Sequence, residues 1–405
     1  MRILFVVPNV PSPIRARPFN LIRRLSRSHE VSVLCIATNE ADHRFIAELS
    51  RHCHELEIVR LSRWRSVWNC VIALFSGVSL RCAYFYSPVL RDRAKAKIAE
   101  ERIDIVHAEH LKSVPMVQDA LGQVPIVFDA VDCVSMFESR RRRVLRNPLL
   151  RVFSHMESKR MLRGEERAIE LFDRVVISSP VDRDCYPTAQ HMRKKLAIVP
   201  NGVDLDHFQF ELYEPERSLI VFCAKLDYFP NEDAAMYFVK SVWPLLQKRR
   251  PSLRLDIVGS RPPPSVRRLH GNANIRVIAS VADVRPYLGR AWVALCPIRA
   301  QAGTQNKILE AMALGVPVIA TRICCPGLAV EAGKHLLVAD TPDEFVCATE
   351  RLLDDPVLRS ELITAGRAFV ERHHDWISCV KNLCDAYADA VSAFADHSTK
   401  APCLI

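Results

Sequence analysis

The feature that most constrains this chain is a βαβ rhythm that runs through it twice. Short β-branched runs at 3–7, 31–36, 56–60, 105–107, 126–129 and 174–178 alternate with amphipathic stretches such as 19–27 and 91–101. A second set of runs follows at 219–223, 253–258, 275–279, 293–296, 316–321 and 336–339, separated by helical patterns at 233–249, 281–289, 307–314 and 342–353. Strands that alternate with helices build a parallel sheet covered on both faces. The turn cluster Pro200-Asn201-Gly202 separates the two sets. The expected fold class is therefore α/β, with two Rossmann-like domains, 1–198 and 199–376, facing a central cleft. Ligands are expected at the carboxyl ends of the sheets. The periodic tail 377–397 is expected to cross back and pack on the first domain.

The length of 405 residues suits two domains, and 49% hydrophobic with 25% charged residues excludes a disordered chain. The apolar run 3–7 is shorter than the roughly 7–15 residues of a secretory segment. It reads as a buried first strand, and the protein is expected to be cytoplasmic. No stretch reaches the roughly 18 apolar residues of a membrane span. The nearest, 66–80, carries Asn69, Ser76 and Gly77 and reads as a partly buried helix and loop, with a membrane-dipping segment as the alternative. The 14 cysteines include no CxxC pair, which fits free, mostly buried thiols and no metal site. Much of the net charge of +10 lies in 139–167, where Arg140 to Arg143, Arg146, Arg151 and Arg160 are interleaved with Leu149, Val152 and Phe153. Such a stretch suits an anionic membrane surface or phosphorylated substrates, and equally a solvated face. No aromatic platform accompanies the charge, so nucleic acid is not expected as a partner.

No GxGxxG follows the first strand; the loop there, 8–18, carries prolines and Arg15 and Arg17. That argues against a nicotinamide or flavin enzyme. The arginines can grip a phosphate through their planar forks, or simply face water. The stronger signal is the strand 293–296, a loop through Gly303, and a helix that opens near Thr304. A helix N-terminus at the carboxyl edge of a strand offers free N–H groups and a favourable dipole to a diphosphate. Lys307 adds a positive charge in the first turn, and Glu310 lies on the same face, placed to accept from ribose hydroxyls. The same residues also fit a plain capped helix with a surface ion pair.

The run GTQNKILEAMALGVPVIAT resembles the donor-binding signature of the family 4 retaining glycosyltransferases, which have the GT-B fold. It is more closely similar to the sugar transferases associated with PEP-CTERM/exosortase exopolysaccharide systems. Asn201-Gly202-Val203-Asp204, Asp227-Tyr228-Phe229-Pro230-Asn231, Ile257-Val258-Gly259 and Pro326-Gly327-Leu328 fit the same pattern in the same order. The resemblance implies a nucleotide-sugar donor held mainly by the C-terminal domain, and transfer with retained anomeric configuration. It implies no obligatory metal and no further cofactor. It places Asn201, Arg299, Gly303, Thr304, Gln305, Asn306 and Glu310 on the donor, and Lys225 and Lys307 beside its phosphates. One of His107 and His110 is brought towards the reacting groups, and Arg15, Arg17, Asp129 and Asp132 lie on the acceptor side. In such chemistry the leaving diphosphate itself assists the incoming hydroxyl, and the protein supplies positioning and charge.

This chain departs from the family pattern at three places. A carboxylate expected seven residues plus one before Glu310 is replaced by Ala302. Asn231 stands where a lysine is usual, leaving Arg299 or Lys307 to supply that cation. The glycine-rich first loop has become Pro13-Ile14-Arg15-Ala16-Arg17. The expected function is transfer of a sugar to a glycan or polyprenyl-linked acceptor in exopolysaccharide or cell-envelope glycan synthesis, at the inner face of the cytoplasmic membrane. The alternatives are a GT-B sugar-nucleotide epimerase and a catalytically silent glycan- or nucleotide-binding relative.

Overall fold

A computed structural model describes residues 1–38, 45–145, 147–186, 192–210, 212–300 and 303–400, with 397–400 as backbone only. The departure at Ala302 and the charge of Arg146 lie outside the described residues. The chain divides into two compact units, Met1–Pro200 with Trp376–Ile405, and Asn201–Asp375.

The first unit is built on a parallel sheet in the order β3-β2-β1-β4-β5-β6-β7. Its strands are β1 (Arg2–Val7), β2 (Glu30–Ala37), β3 (Glu55–Arg60), β4 (Ile105–Glu109), β5 (Ile126–Val131), β6 (Arg174–Ile177) and β7 (Leu196–Ile198). Strand β1 shows why the runs are continuously apolar. Leu4 and Val6 enter one core, with Leu90 and Ala168, while Ile3, Phe5 and Val7 enter another, with Leu21 and Ile22. A period-two strand buried on both faces must be hydrophobic at every position. The second core is completed by helix Trp376–Lys400, whose Trp376, Cys379, Leu383, Tyr387 and Ala390 are buried there. Their spacing is one face of an α-helix, so the C-terminal helix crosses back onto the first unit as expected.

The second unit repeats the plan, with β8 (Glu216–Cys223), β9 (Arg254–Gly259), β10 (Ile275–Ala279), β11 (Ala291–Cys296), β12 (Val318–Ala320) and β13 (Leu337–Val338). Its parallel order is β10-β9-β8-β11-β12-β13. In each sheet the chain order reverses once, at β1/β4 and at β8/β11. The crevice beyond the carboxyl ends at such a reversal is where open α/β sheets bind ligands.

Two elements differ from the sequence reading. Strand β7, of three residues, is too short to show a period. The 66–80 stretch does contain a helix, Arg63–Ser76, ended by Gly77 at φ 72°, but only Ser66 and Ala73 of it are buried. The basic 139–167 region forms parts of helices Val134–Val144 and Pro148–Leu171. No helix among the described residues is long and apolar enough to cross a membrane.

Candidate functional site

In the second unit, β11 leaves the sheet at the reversal and its loop runs into helix Asn306–Ala313. Gly303 has φ 68°, and its carbonyl oxygen lies 2.4 Å from where a Cβ on Gly327 would stand. Only glycine at 327 lets the two backbones approach so closely. Thr304 is buried, and its Oγ1 accepts a hydrogen bond from Asn201 Nδ2 at 2.5 Å. His374 holds the Asn201 turn in turn: its Nδ1 donates to Asn201 O at 2.7 Å, and its own carbonyl accepts from Val203 N at 2.7 Å. The loop that opens the helix is thus fixed from two distant parts of the sequence.

The helix begins without a side-chain cap at Gln305 and without an acidic residue in its first turn. No side chain caps its first N–H groups, and such groups suit an anion. Lys307 Nζ donates to Asn231 Oδ1 at 3.0 Å and to Gln305 Oε1 at 2.6 Å. Asn231 Nδ2 donates to the Lys225 carbonyl at 2.9 Å. Asn231 therefore bridges the carboxyl end of β8 to the helix start, using both ends of its amide. The Lys225 side chain is about half exposed (48%), with its Nζ 3.8 Å from Asp227 Oδ1. Asn306 Oδ1 is buried with no hydrogen-bond partner among the described residues, and such an acceptor calls for an occupant. Burial pushes the Glu310 carboxyl up from its ordinary range, opposed by the Lys307 charge. Arg299 is turned aside: its Nε and Nη2 donate to Asp233 at 2.9 and 2.5 Å, and its guanidinium lies 4.8 Å from the Tyr237 ring centroid.

In the first unit, the ends of β1, β4 and β5 carry a different set. Arg17 forms a two-pronged pair with Asp129, at 2.8 and 3.1 Å, and also donates to Val199 O at 2.9 Å. Both side chains are buried (4% and 0% exposed). Burial alone would raise the Asp129 carboxyl, but the Arg17 charge and the His107 contact outweigh it and hold it at about 2. His107 stacks on Phe5 at 4.2 Å, shares a 2.9 Å hydrogen bond with Tyr387 Oη, and lies 3.4 Å from Asp129. Burial lowers its pKa. Arg17 and Asp129 thus form a buried ion pair with His107 beside it, and His107 Nε2 has no hydrogen-bond partner among the described residues.

His110, by contrast, sits at φ 65°, donates its N–H to Asp129 O at 2.6 Å and accepts at Nδ1 from Lys112 N at 3.2 Å. Burial, then the Lys112 charge, drive its pKa down to about 3. Val131, at φ 62°, is a β-branched residue in the left-handed region, a strained conformation that surrounding structure must impose. Burial and then Asp129 push the Glu109 carboxyl up to about 8; burial and then Asp182 push Asp132 up to about 7. Arg15 Nη1 donates to Val10 O at 2.9 Å. This edge therefore presents half-buried carboxyl groups, raised by burial, beside arginine.

The structure brings Asn201, Gly303, Thr304, Gln305, Asn306 and Lys307 together with the backbone of Lys225. Arg299 is tied to Asp233. Gly327 fell within the Pro326-Gly327-Leu328 run, but His374, Asp233, Tyr387 and Glu109 were not singled out from the sequence. Of these, only Glu109, at the end of a strand run beside His110, carried a local signal. Among the described residues no group of three or more His, Cys, Asp or Glu side chains is placed to hold a metal.

Residues 18–207 match the family model described as Glycosyltransferase Family 4, and residues 217–355 match Glycosyl transferases group 1. The "D-inositol 3-phosphate glycosyltransferase" of Paenarthrobacter aurescens is 24% identical over 272 residues, 61% of this chain and 65% of that protein. The "Glycosyltransferase 1 domain-containing protein 1" of Xenopus tropicalis is 30% identical over 95 residues, 24% of this chain and 27% of that protein. The chain thus spans less than two thirds of the length of both these curated relatives. Among solved structures, Anabaena HepE in complex with UDP aligns with TM-score 0.70 and 13% identity, covering 96% of this chain and 100% of that one. Sucrose-phosphate synthase from Thermosynechococcus elongatus aligns with TM-score 0.70 and 17% identity, covering 97% and 100%. These likenesses show the two-domain GT-B fold.

Proposed function

We propose, on the premise that the chain carries both domains of a family 4 type glycosyltransferase of the GT-B fold, that it transfers a sugar from a nucleotide-diphosphate donor to a glycan or polyprenyl-linked acceptor. The observation that carries this reading is the uncapped start of helix Asn306–Ala313 at the β8/β11 reversal, with Lys307 in its first turn. The donor diphosphate sits on those N–H groups, where the helix dipole and the Lys307 charge stabilise it as it leaves. Glu310 and Asn306 Oδ1 accept from hydroxyls of the donor. Anabaena HepE, which shares this fold, is solved in complex with UDP and with UDP-glucose, which supports a nucleotide-sugar ligand here.

The anomeric carbon–phosphate oxygen bond breaks, and the acceptor oxygen bonds to that carbon from the same face. The acceptor's proton passes to an oxygen of the departing diphosphate. Configuration is retained, and no metal or further cofactor takes part. At the β1/β4 reversal Glu109, His110, Asp132 and Arg15 meet the acceptor, in a setting of exopolysaccharide or envelope glycan synthesis. The arginines of 140–167 give the enzyme contact with an anionic membrane face.

The test is turnover of a panel of nucleotide sugars with and without acceptor. One donor is expected to be consumed in an acceptor-dependent way, and Lys307→Ala to lower that rate by about 100-fold. A donor epimerised without acceptor would show an epimerase instead, and no consumption of any donor would show a silent binding protein.

A further inference from the structure

Helix Arg63–Ser76 inverts the usual pattern of a surface helix. The stripe that faces the protein is small or polar: Ser66 and Ala73 are buried, Asn69 Nδ2 donates to Tyr86 O at 2.9 Å, and Cys70 Sγ lies 3.4 Å from Leu80 O. The large apolar side chains point outward, with Trp64 87% and Phe75 88% exposed, and Trp68, Ile72 and Leu74 exposed beside them. An apolar face normally turns inward, and a contiguous outward one marks an interaction site.

Next to this helix lies a cavity of about 530 Å³ whose walls include Ala73, Ala83, Leu111 and Val114. That volume is in the range of small-molecule sites. Ile72 and Val78 are both exposed and part of its lining, so the outward face and the cavity are continuous. Helix Pro148–Leu171 closes the other side with Arg160, Arg163, Gly164 and Arg167, positions that share one helical face. Arg160 is used structurally, donating to the carbonyls of Leu74 at 3.1 Å and Val78 at 3.3 Å. Arg163 and Arg167 are exposed at the cavity and pair with no carboxylate among the described residues. Between Glu57 and Asp92 the chain has no acidic residue; Arg81 and Arg91 there pair with Glu138 and with Asp92 and Asp119, whereas Arg60, Arg63 and Arg65 pair with no carboxylate among the described residues.

We infer that this cavity and the outward face of helix Arg63–Ser76 form one lipid-binding site. The helix lies in the interface of an anionic bilayer, its two tryptophans at headgroup level. A hydrocarbon chain of an acidic phospholipid in that bilayer enters the cavity, and its phosphate rests on Arg163 and Arg167. Charge selects this occupant over a second copy of the chain. A self-complementary pairing through this face would set the arginines Arg60, Arg63, Arg65, Arg163 and Arg167 of one copy against those of another. The site needs neither donor nor transfer, and it lies on elements other than the sheet edges proposed for them.

The test is co-sedimentation of the full chain with vesicles of phosphatidylcholine alone or mixed with phosphatidylglycerol. Wild type is expected to partition at least about tenfold better onto the mixed vesicles. The triple variant Trp64→Ser, Trp68→Ser, Phe75→Ser should lose that binding, and Arg163→Gln with Arg167→Gln should lose the preference for the acidic lipid. All of these side chains are exposed, and unchanged thermal melting checks that the variants fold. Gly164→Leu addresses the cavity itself: a Cβ there makes ordinary contact with Leu111 at 3.5 Å, and the longer side chain occupies lipid space. Native mass spectrometry after phosphatidylglycerol loading should show a retained lipid on wild type and none on this variant. Equal binding to both vesicle types, or retention unchanged by Gly164→Leu, overturns the inference. So does sedimentation velocity showing a dimer that the triple variant dissociates.

Discussion

At the scale of single residues, the most consequential finding is that Arg17, Asp129 and His107 work as one buried network. From the sequence Arg17 was a loop arginine that either gripped a phosphate or faced water. Its partner is 112 residues away, and no local spacing announces such a pair. Asp129→Asn leaves a buried guanidinium without its countercharge and should destabilise the protein by about 3–5 kcal/mol in denaturant titrations. The pH dependence has a defined sign. Asp129 is held at about 2 against an ordinary 3.8. Its contribution is therefore present above pH 4 and lost as pH falls from about 4 to about 2. The variant should lack that acid limb. Glu109 has the opposite sign. Its carboxyl is raised from 4.5 to about 8, so the folded state binds more protons than the unfolded one between those values, and stability falls as pH rises through that window. Glu109→Gln should flatten that slope in denaturant midpoints measured from pH 5 to 8. An unchanged slope would show that Glu109 is not the titrating group.

At the scale of elements, the helix at 306–313 was legible because its evidence is contiguous: a strand run, a glycine, and a polar helix start all fall within about one pass of the sheet edge. What fixes the element was not legible. Gly327 stood in the Pro326-Gly327-Leu328 run, but its role there, like that of His374, is a backbone approach or carbonyl contact with a distant segment, which side-chain type does not announce. Gly327→Ala would place a Cβ 2.4 Å from Gly303 O, forcing the loop away from its position. We expect a loss of about 1–3 kcal/mol in stability together with weaker donor binding in titration calorimetry. Weakened stability with unchanged donor affinity would separate the loop from the site. Helix Arg63–Ser76 shows the converse limit. Its composition gives a helix with a small or polar stripe and an apolar face, but the rule that the apolar face turns inward is inverted here, and the expectation of partial burial missed its exposed face.

At the scale of the whole molecule, the twofold βαβ rhythm was enough to give two parallel sheets, because continuously apolar strands have few other homes. Strand order was not readable, and it is the strand order that matters for function. The reversals at β1/β4 and β8/β11 decide which of many loops end beside one another. They select Lys225 and the 303–307 segment in the second unit, and Glu109, His110 and Arg15 in the first. The C-terminal helix shows the same dependence on topology: Tyr387 reaches His107 across 280 residues of sequence.

The central claim is that a nucleotide diphosphate is held at the start of helix Asn306–Ala313. It is tested most directly by calorimetric titration of the nucleoside diphosphate released in turnover, and of the matching nucleoside, into wild type and Lys307→Met. A charge-assisted contact to phosphate predicts that the variant binds the diphosphate about 10- to 100-fold more weakly, while nucleoside affinity stays unchanged. Equal diphosphate affinity in the two proteins would contradict the account and place the donor elsewhere.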